Sequence, residues 1–193
     1  MTERHKGLEV IYCADKRAFN KWLNQNHGQE ESIWLKLAKK GSQQKSPSYE
    51  EARETAIAWG WIDGLVNALN DSFYLIKFSL RRKKSKWSKI NRGIAEGLIE
   101  KNKMRKSGLA QVEAAKADGR WQAAYDSPSQ MKEPADFLAA LKKNKKAKEF
   151  YPTISKANRN TMLYQIQDAK KEETRQRRIN KFITMLAEGR ASQ

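Results

Sequence analysis

The chain has 193 residues, 39% of them hydrophobic, and a formal net charge of +17 at pH 7. This length suffices for one sizeable domain or two small ones whose core needs no disulfide or metal. No stretch approaches the roughly 18 consecutive apolar residues that a membrane helix needs. The N-terminal sequence MTERHKGLEV also lacks the apolar core of a signal peptide. We therefore expect a cytoplasmic protein without a transmembrane segment.

The positive charge lies in two blocks of the chain. Residues 81–106 hold 11 basic and 2 acidic side chains (11 − 2 = +9), and residues 142–193 hold 14 basic and 5 acidic ones (14 − 5 = +9). Such clusters favour attraction to polyanions such as nucleic acid, phosphorylated ligands or anionic membrane surfaces. For the lysines of residues 142–148, the alternative is a well-solvated helix surface.

The first third of the chain predicts strands that alternate with helices. Residues 8–14 and 32–38 are apolar, β-prone runs. Between them, Asp15 is a candidate N-cap for a helix with one apolar face. The single cysteine, Cys13, is predicted to be a small buried hydrophobe, because a lone cysteine cannot form an internal disulfide.

The next segment predicts a helix, a turn and a long strand. Ser48 and Glu51 form a capping box that starts the helix, and Gly60 ends it. Residues 61–64 predict a tight turn, because the glycine supplies backbone freedom and the aspartate can bond nearby amides. Residues 72–79 predict a strand that leads directly into the first basic block.

From residue 89 onward the sequence is typical of helices. They are predicted at residues 91–100, 107–117, 135–141, 145–151 and 155–190, with breaks at Gly119, around residues 128–134, and between Asn158 and Asn160. The sequence thus predicts an α+β fold, with a small, largely antiparallel sheet and helices in the N-terminal half and an all-helical C-terminal half. We expect a mixed domain at residues 1–88 and a helical domain at residues 89–193, packed as one compact unit.

Several separate motifs run along nearly the whole chain. They are Phe19-x-x-Trp22-Leu23, Ile33-Trp34-Leu35-Lys36 followed by Lys39-Lys40, Tyr49-Glu50-Glu51-Ala52, Gly60-Trp61-Ile62-Asp63-Gly64, Ser85-Lys86-Trp87-Ser88-Lys89-Ile90-Asn91, and Ala169-Lys170-x-x-Glu173-Thr174-Arg175-x-x-Arg178-Ile179. Together they resemble the YdeI/OmpD-associated family, whose members are described as bacteriocin-protection proteins.

The resemblance implies protection against cationic peptides without a defined chemistry. A cytoplasmic protein does not meet an extracellular bacteriocin, so such protection implies an internal target or an indirect stress effect. Where the family usually has Thr-Pro-Arg after the long strand, this chain has Ser79-Leu80-Arg81. The turn therefore loses the rigidity of a proline.

Residues 59–92 combine three tryptophans, a predicted strand and the densest basic run, and predict the main binding site. Backbone amides at a helix N-terminus, next to guanidinium groups, are suited to bind phosphate or carboxylate, and tryptophan can stack on a base or a sugar. The candidate ligand-binding residues here are Trp61, Asp63, Arg81, Arg82, Ser85, Lys86, Trp87, Ser88 and Asn91. The alternative for the two tryptophans is a purely structural role in the core.

A second candidate set lies in the last predicted helix. Lys170, Thr174 and Arg178 would share one face of a continuous helix, with Arg175 beside them. We predict that Lys170, Thr174 and Arg175 complete one anion-binding groove between the two halves. The alternative is that these charges form structural ion pairs with Asp63 or with the glutamates at positions 172 and 173.

The sequence lacks the common catalytic motifs. It contains no G-x-S-x-G, no P-loop and no G-x-G-x-x-G, and its one cysteine and two histidines do not have zinc-site spacing. We therefore expect a non-enzymatic anion-binding or stress-protection protein without cofactor or metal. Its partner would be a phosphate-bearing small molecule or nucleic acid. The alternatives are a nucleic-acid-binding protein, and an enzyme that uses Asp63 as a base on a small phosphorylated or carboxylated substrate.

Overall fold

The computed structural model describes residues 3–126 and 131–191. Its contacts divide the chain into two compact units, residues 1–124 and residues 125–193. The sequence placed the boundary at residues 88 and 89, whereas the structure keeps the next two helices with the sheet. Of the break predicted at residues 128–134, residues 128–130 lie outside the described residues, and residues 131–134 are non-helical as predicted. None of the described helices is both long and apolar enough to cross a bilayer.

The first unit is built on a sheet of five strands. Its elements are β1 (Arg4–His5), β2 (Leu8–Tyr12), α1 (Lys16–Asn26), β3 (Ser32–Ala38), α2 (Tyr49–Ala58), β4 (Trp61–Ala68), β5 (Phe73–Leu80), α3 (Lys89–Glu100) and α4 (Lys106–Ala117). The strand order is β1-β2-β3-β5-β4, in which β2 and β3 pair parallel and the other neighbours pair antiparallel. The predicted α+β fold with a largely antiparallel sheet is confirmed.

The two helix starts predicted from capping residues are also confirmed. The Asp15 side chain accepts a hydrogen bond from the Ala18 amide at 2.8 Å and caps α1. Ser48 and Glu51 form the reciprocal capping box of α2. These bonds satisfy amides that the first helical turn leaves without a partner, so each helix begins where the sequence indicates.

Residues 61–64 are the beginning of β4, so the prediction of a tight turn there was wrong. The chain changes direction one residue earlier, at Gly60. This residue has a φ of +81°, which residues other than glycine rarely adopt. Trp61 then pairs with Leu80 of β5, and a bulge lies between Asp63 and Val66. Pairing with β5 outweighs the local turn preference of the Asp-Gly sequence.

The elements described for the second unit are helices joined by short connections. It contains α5 (Ala135–Lys143), α6 (Lys145–Phe150), a 3-10 turn at Tyr151–Thr153, α7 (Lys156–Gln167) and α8 (Glu172–Ala187). The break predicted between Asn158 and Asn160 is wrong, because both residues lie inside α7 and the chain turns at residues 168–171. Ile166, Ile179 and Leu186, predicted as part of one apolar seam, are fully buried.

Candidate functional site

Arg81 follows β5 and is buried, with 3% of its surface exposed. Its guanidinium carbon lies 3.7 Å from the centroid of the Trp87 ring, and its Nη1 donates to the Lys86 carbonyl at 3.1 Å. A desolvated cation over an indole ring contributes on the order of 2 kcal/mol. Arg81 therefore holds the two ends of residues 81–87 together, and its side chain packs against the core.

The two tryptophans of the predicted site lie in the core. Trp61 is 0% and Trp87 is 1% exposed. Trp61 donates its Nε1 to the His27 carbonyl at 3.3 Å, and Trp87 packs edge-on against Trp121 with ring centroids 4.8 Å apart. Neither ring presents a face to solvent, so the structure places both in the structural role that the sequence left as the alternative.

The segment between Arg81 and Trp87 forms an exposed turn, which we call the cationic loop (residues 82–86). The Ser85 amide donates to the Arg82 carbonyl at 2.9 Å, and the Arg82 amide donates to Ser85 Oγ at 2.9 Å. Arg120 Nη1 donates to the Ser85 carbonyl at 2.8 Å from outside the loop. The backbone is thus fixed, whereas the side chains of Arg82, Lys83 and Lys84 are exposed.

Helix α3 begins directly after this loop. Ser88 Oγ accepts from the Asn91 amide at 3.1 Å, which makes Ser88 the N-cap, and Asn91 is buried with 7% of its surface exposed. The Ser88 hydroxyl is therefore engaged in capping α3. The positive end of the α3 dipole adds to the positive potential near the cationic loop.

Asp63 lies on β4 and accepts a hydrogen bond from the Tyr49 hydroxyl at 2.5 Å. Burial, followed by this bond and by the Asp63 charge, raises the pKa of Tyr49 to about 12. In the structure Asp63 therefore acts as a structural acceptor between α2 and β4. Asp63 lines neither the cleft between α1, α2 and the end of α3 nor the cleft between α2 and α3.

In the second unit, Arg175 clamps three elements together. Its Nε and Nη2 donate to the two carboxylate oxygens of Asp136 at 2.6 and 3.0 Å, and its Nη1 donates to the Ile166 carbonyl at 3.0 Å. The Arg175 guanidinium lowers the pKa of Asp136 below its usual value, chiefly through the direct hydrogen bond. The ion-pair partner is thus Asp136 of α5, which is far from Arg175 in the sequence and is not marked by any local pattern.

The helical face predicted for Lys170, Thr174 and Arg178 is not formed as expected. Lys170 is exposed in the α7–α8 connection, before α8 begins, whereas Thr174 and Arg178 lie on α8 itself. Arg178 Nη1 donates to the Gln165 carbonyl and so helps to cap the end of α7. The groove between the two halves stays a prediction.

One cleft of the first unit carries no sequence motif. It has a volume of about 400 Å³ and is lined by residues of α1, α2, the end of α3 and the connection to α4. Because these residues come from four separate parts of the chain, no local pattern marks the cleft. The only sequence signal is charge, because the lining includes two pairs of basic residues from distant parts of the chain. They are Lys16 with Arg17, and Lys103 with Arg105.

Two family models match the chain. Residues 130–189 match the family described as "Bacteriocin-protection, YdeI or OmpD-Associated", which confirms the resemblance seen in the sequence. Residues 11–111, just over half of the chain, match "Domain of unknown function (DUF8412)". No curated protein and no solved structure matches. The chain therefore belongs to the DUF8412 family, and its residues 130–189 are similar to the YdeI or OmpD-associated family.

Proposed function

We propose that the protein is a non-enzymatic binding protein for phosphate-bearing polyanions and that the cationic loop is its contact surface. One observation carries the proposal. Arg82, Lys83 and Lys84 are exposed, and within residues 3–126 and 131–191 they form no ion pair. The neighbouring Arg81 and Arg120 instead hold the loop in place. A rigid loop with uncompensated cations releases counterions from a polyanion at little conformational cost.

The chemistry of the loop favours phosphate over base recognition. The Trp87 ring faces the core, so the loop offers charge without an aromatic platform for stacking. Lysine and arginine contacts to phosphate carry no sequence information and depend strongly on salt. We therefore propose nucleic acid as the polyanion, bound through its backbone with little sequence preference.

The family description names bacteriocin protection. A chain with a net charge of +17 repels a cationic peptide, which argues against direct capture. We propose that any protection given by this protein acts through its anionic target in the cytoplasm.

A salt titration tests the loop. Fluorescence anisotropy with a labelled short duplex and a single-stranded oligonucleotide would compare wild type with the triple variant Arg82→Gln/Lys83→Gln/Lys84→Gln. For duplex DNA, the slope of log K against log salt should become shallower by about 2.7, or about 0.9 for each lost phosphate contact.

The control has the same change of net charge. The variant Lys142→Gln/Lys143→Gln/Lys146→Gln removes three exposed lysines of the second unit. It should keep the wild-type slope if the loop is the contact surface. Equal losses in both variants would show that net charge alone determines binding, and flat traces at low salt would refute polyanion binding altogether.

A further inference from the structure

We propose a second, separate binding site for a small organic dianion in the cleft between α1, α2 and the end of α3. Its volume of about 400 Å³ lies within the range of roughly 300–1,000 Å³ that is usual for small-molecule pockets. Ala58 and Leu98 supply apolar surface, and charged side chains surround them. The site shares no residue with the cationic loop, so the proposal is independent of nucleic-acid binding.

The lining has an excess of positive charge. Lys16 is paired with Glu54 at 2.7 Å. In the part of the chain that the structure describes, Arg17, Lys103 and Arg105 form no ion pair. Four cations thus face one carboxylate, a net +3. A ligand with two negative charges relieves the mutual repulsion of these cations, whereas a neutral ligand leaves it in place.

A neutral donor also points to an anion. Asn20 lines the cleft, and its Oδ1 accepts a hydrogen bond from the Trp59 indole Nε1 at 2.9 Å. Because an indole N–H only donates, this bond fixes the amide so that its nitrogen is left as a donor. The Asn20 nitrogen therefore adds N–H groups to a cleft that already holds ammonium and guanidinium donors.

The backbone that carries the cations is fixed. Two residues after the end of α3, Asn102 adopts a left-handed conformation with φ +54°, and the Lys103 amide donates to the Leu98 carbonyl at 2.8 Å. The Arg105 amide donates to the Ala58 carbonyl at 3.0 Å, and the Arg105 guanidinium carbon lies 5.3 Å from the Trp59 ring centroid. A ligand would therefore bind without a large entropic cost of ordering this part of the backbone.

Isothermal titration calorimetry on the full chain tests the site with two dianion probes, glycerol 3-phosphate and succinate. Acetate and glycerol serve as the monoanionic and neutral comparisons. We expect at least one dianion to bind and both comparison compounds to bind more weakly. Preference for the phosphate or for the dicarboxylate identifies the head group of the ligand, and either result supports the proposal. The absence of heat with both dianions overturns it, as does equal binding of acetate and succinate.

A pair of variants locates the binding. Arg17→Gln/Lys103→Gln removes two exposed cations of the cleft and should weaken dianion binding by about tenfold for each cation. The control Lys21→Gln/Lys106→Gln makes the same charge change at exposed positions of α1 and α4 that do not line the cleft. Equal weakening in both variants, at unchanged melting temperature, would show general electrostatic attraction and overturn the site.

Discussion

Replacing Arg175 of α8 with glutamine removes the clamp that ties this helix to α5 and to the end of α7. The guanidinium makes two hydrogen bonds to Asp136 and one to the Ile166 carbonyl. The side chains of Arg175 and Asp136 are 22% and 35% exposed, so solvent screens the pair in part. Exposed ion pairs contribute less than about 1 kcal/mol, and breaking a buried pair costs about 3–5 kcal/mol. For this bidentate, half-buried pair we expect a loss of about 2 kcal/mol.

Thermal unfolding monitored by circular dichroism measures this loss. In a protein of this size, 1 kcal/mol corresponds to a change of about 2–4 °C in Tm, so Arg175→Gln should melt about 4–8 °C lower. The matched control is Arg177→Gln, which removes an exposed arginine with no ion pair among the described residues. Its Tm should stay within about 2 °C of wild type.

Asp136→Asn completes a double-mutant cycle with Arg175→Gln. Because both changes break the same contact, the double variant should lose less stability than the sum of the single variants. Additive losses, or equal and negligible effects of Arg175→Gln and Arg177→Gln, would refute the clamp. A ligand-binding role for Arg175 would then become the better explanation of this side chain.

The clamp also predicts a pH dependence. The pKa of Asp136 is lowered from its ordinary value of 3.8 by Arg175, so the folded state favours the ionised carboxylate. Its contribution to stability is present above the unfolded pKa and is lost as the pH falls through the lower, folded pKa. The stability difference between wild type and Asp136→Asn should therefore be constant near neutral pH and shrink below about pH 4.

Four further outcomes follow from the surroundings of single residues. The Tyr49 phenol, with a pKa of about 12, should ionise at higher pH than ordinary tyrosines in an absorbance titration. Its stabilising hydrogen bond to Asp63 should be lost as the pH rises through that pKa. Asp63→Asn should lower the pKa of Tyr49. Gly108→Ala should lower the free energy of unfolding by about 1–3 kcal/mol, and with it Tm, because a Cβ there would clash with the Ala58 carbonyl oxygen at the end of α2. Gly97→Ala on α3 meets nothing within 4 Å and should be neutral or stabilising. Cys13, buried and with a pKa of about 11, should react with a thiol reagent only after denaturation.

Capping residues and apolar periodicity predicted most of the elements of the first unit. The N-caps Asp15 and Ser48 and the strand Ser32–Ala38 depend on interactions within a few residues or on a clear alternation of side chains. The prediction of a turn at residues 61–64 failed because the same Asp-Gly pair is compatible with a turn and with a bulged strand. The choice is made by β5, whose register with β4 is a long-range property.

The predicted position of the break in the last helical region was wrong for a related reason. Its position depends on the end of α7, where Arg175 and Arg178 donate to the carbonyls of Ile166 and Gln165. Residues 168–171 contain neither glycine nor proline, so no local signal marks the end of the helix. The carbonyls that a helix C-terminus leaves without partners are satisfied by side chains from the following helix.

The net charge of the chain is divided between two physical roles that a charge count cannot separate. Arg81, Arg120 and Arg175 bond carbonyl oxygens inside their own unit, which suits the planar, weakly hydrated guanidinium with its five donors. Exposed cations such as Lys83 and Lys84 have no such partner among the described residues, as expected for strongly hydrated ammonium groups. The basic blocks of the sequence therefore overstate the surface that a polyanion can use. Because removal of a structural arginine changes Tm, whereas removal of an exposed cation changes only the salt slope, the two roles can be measured separately.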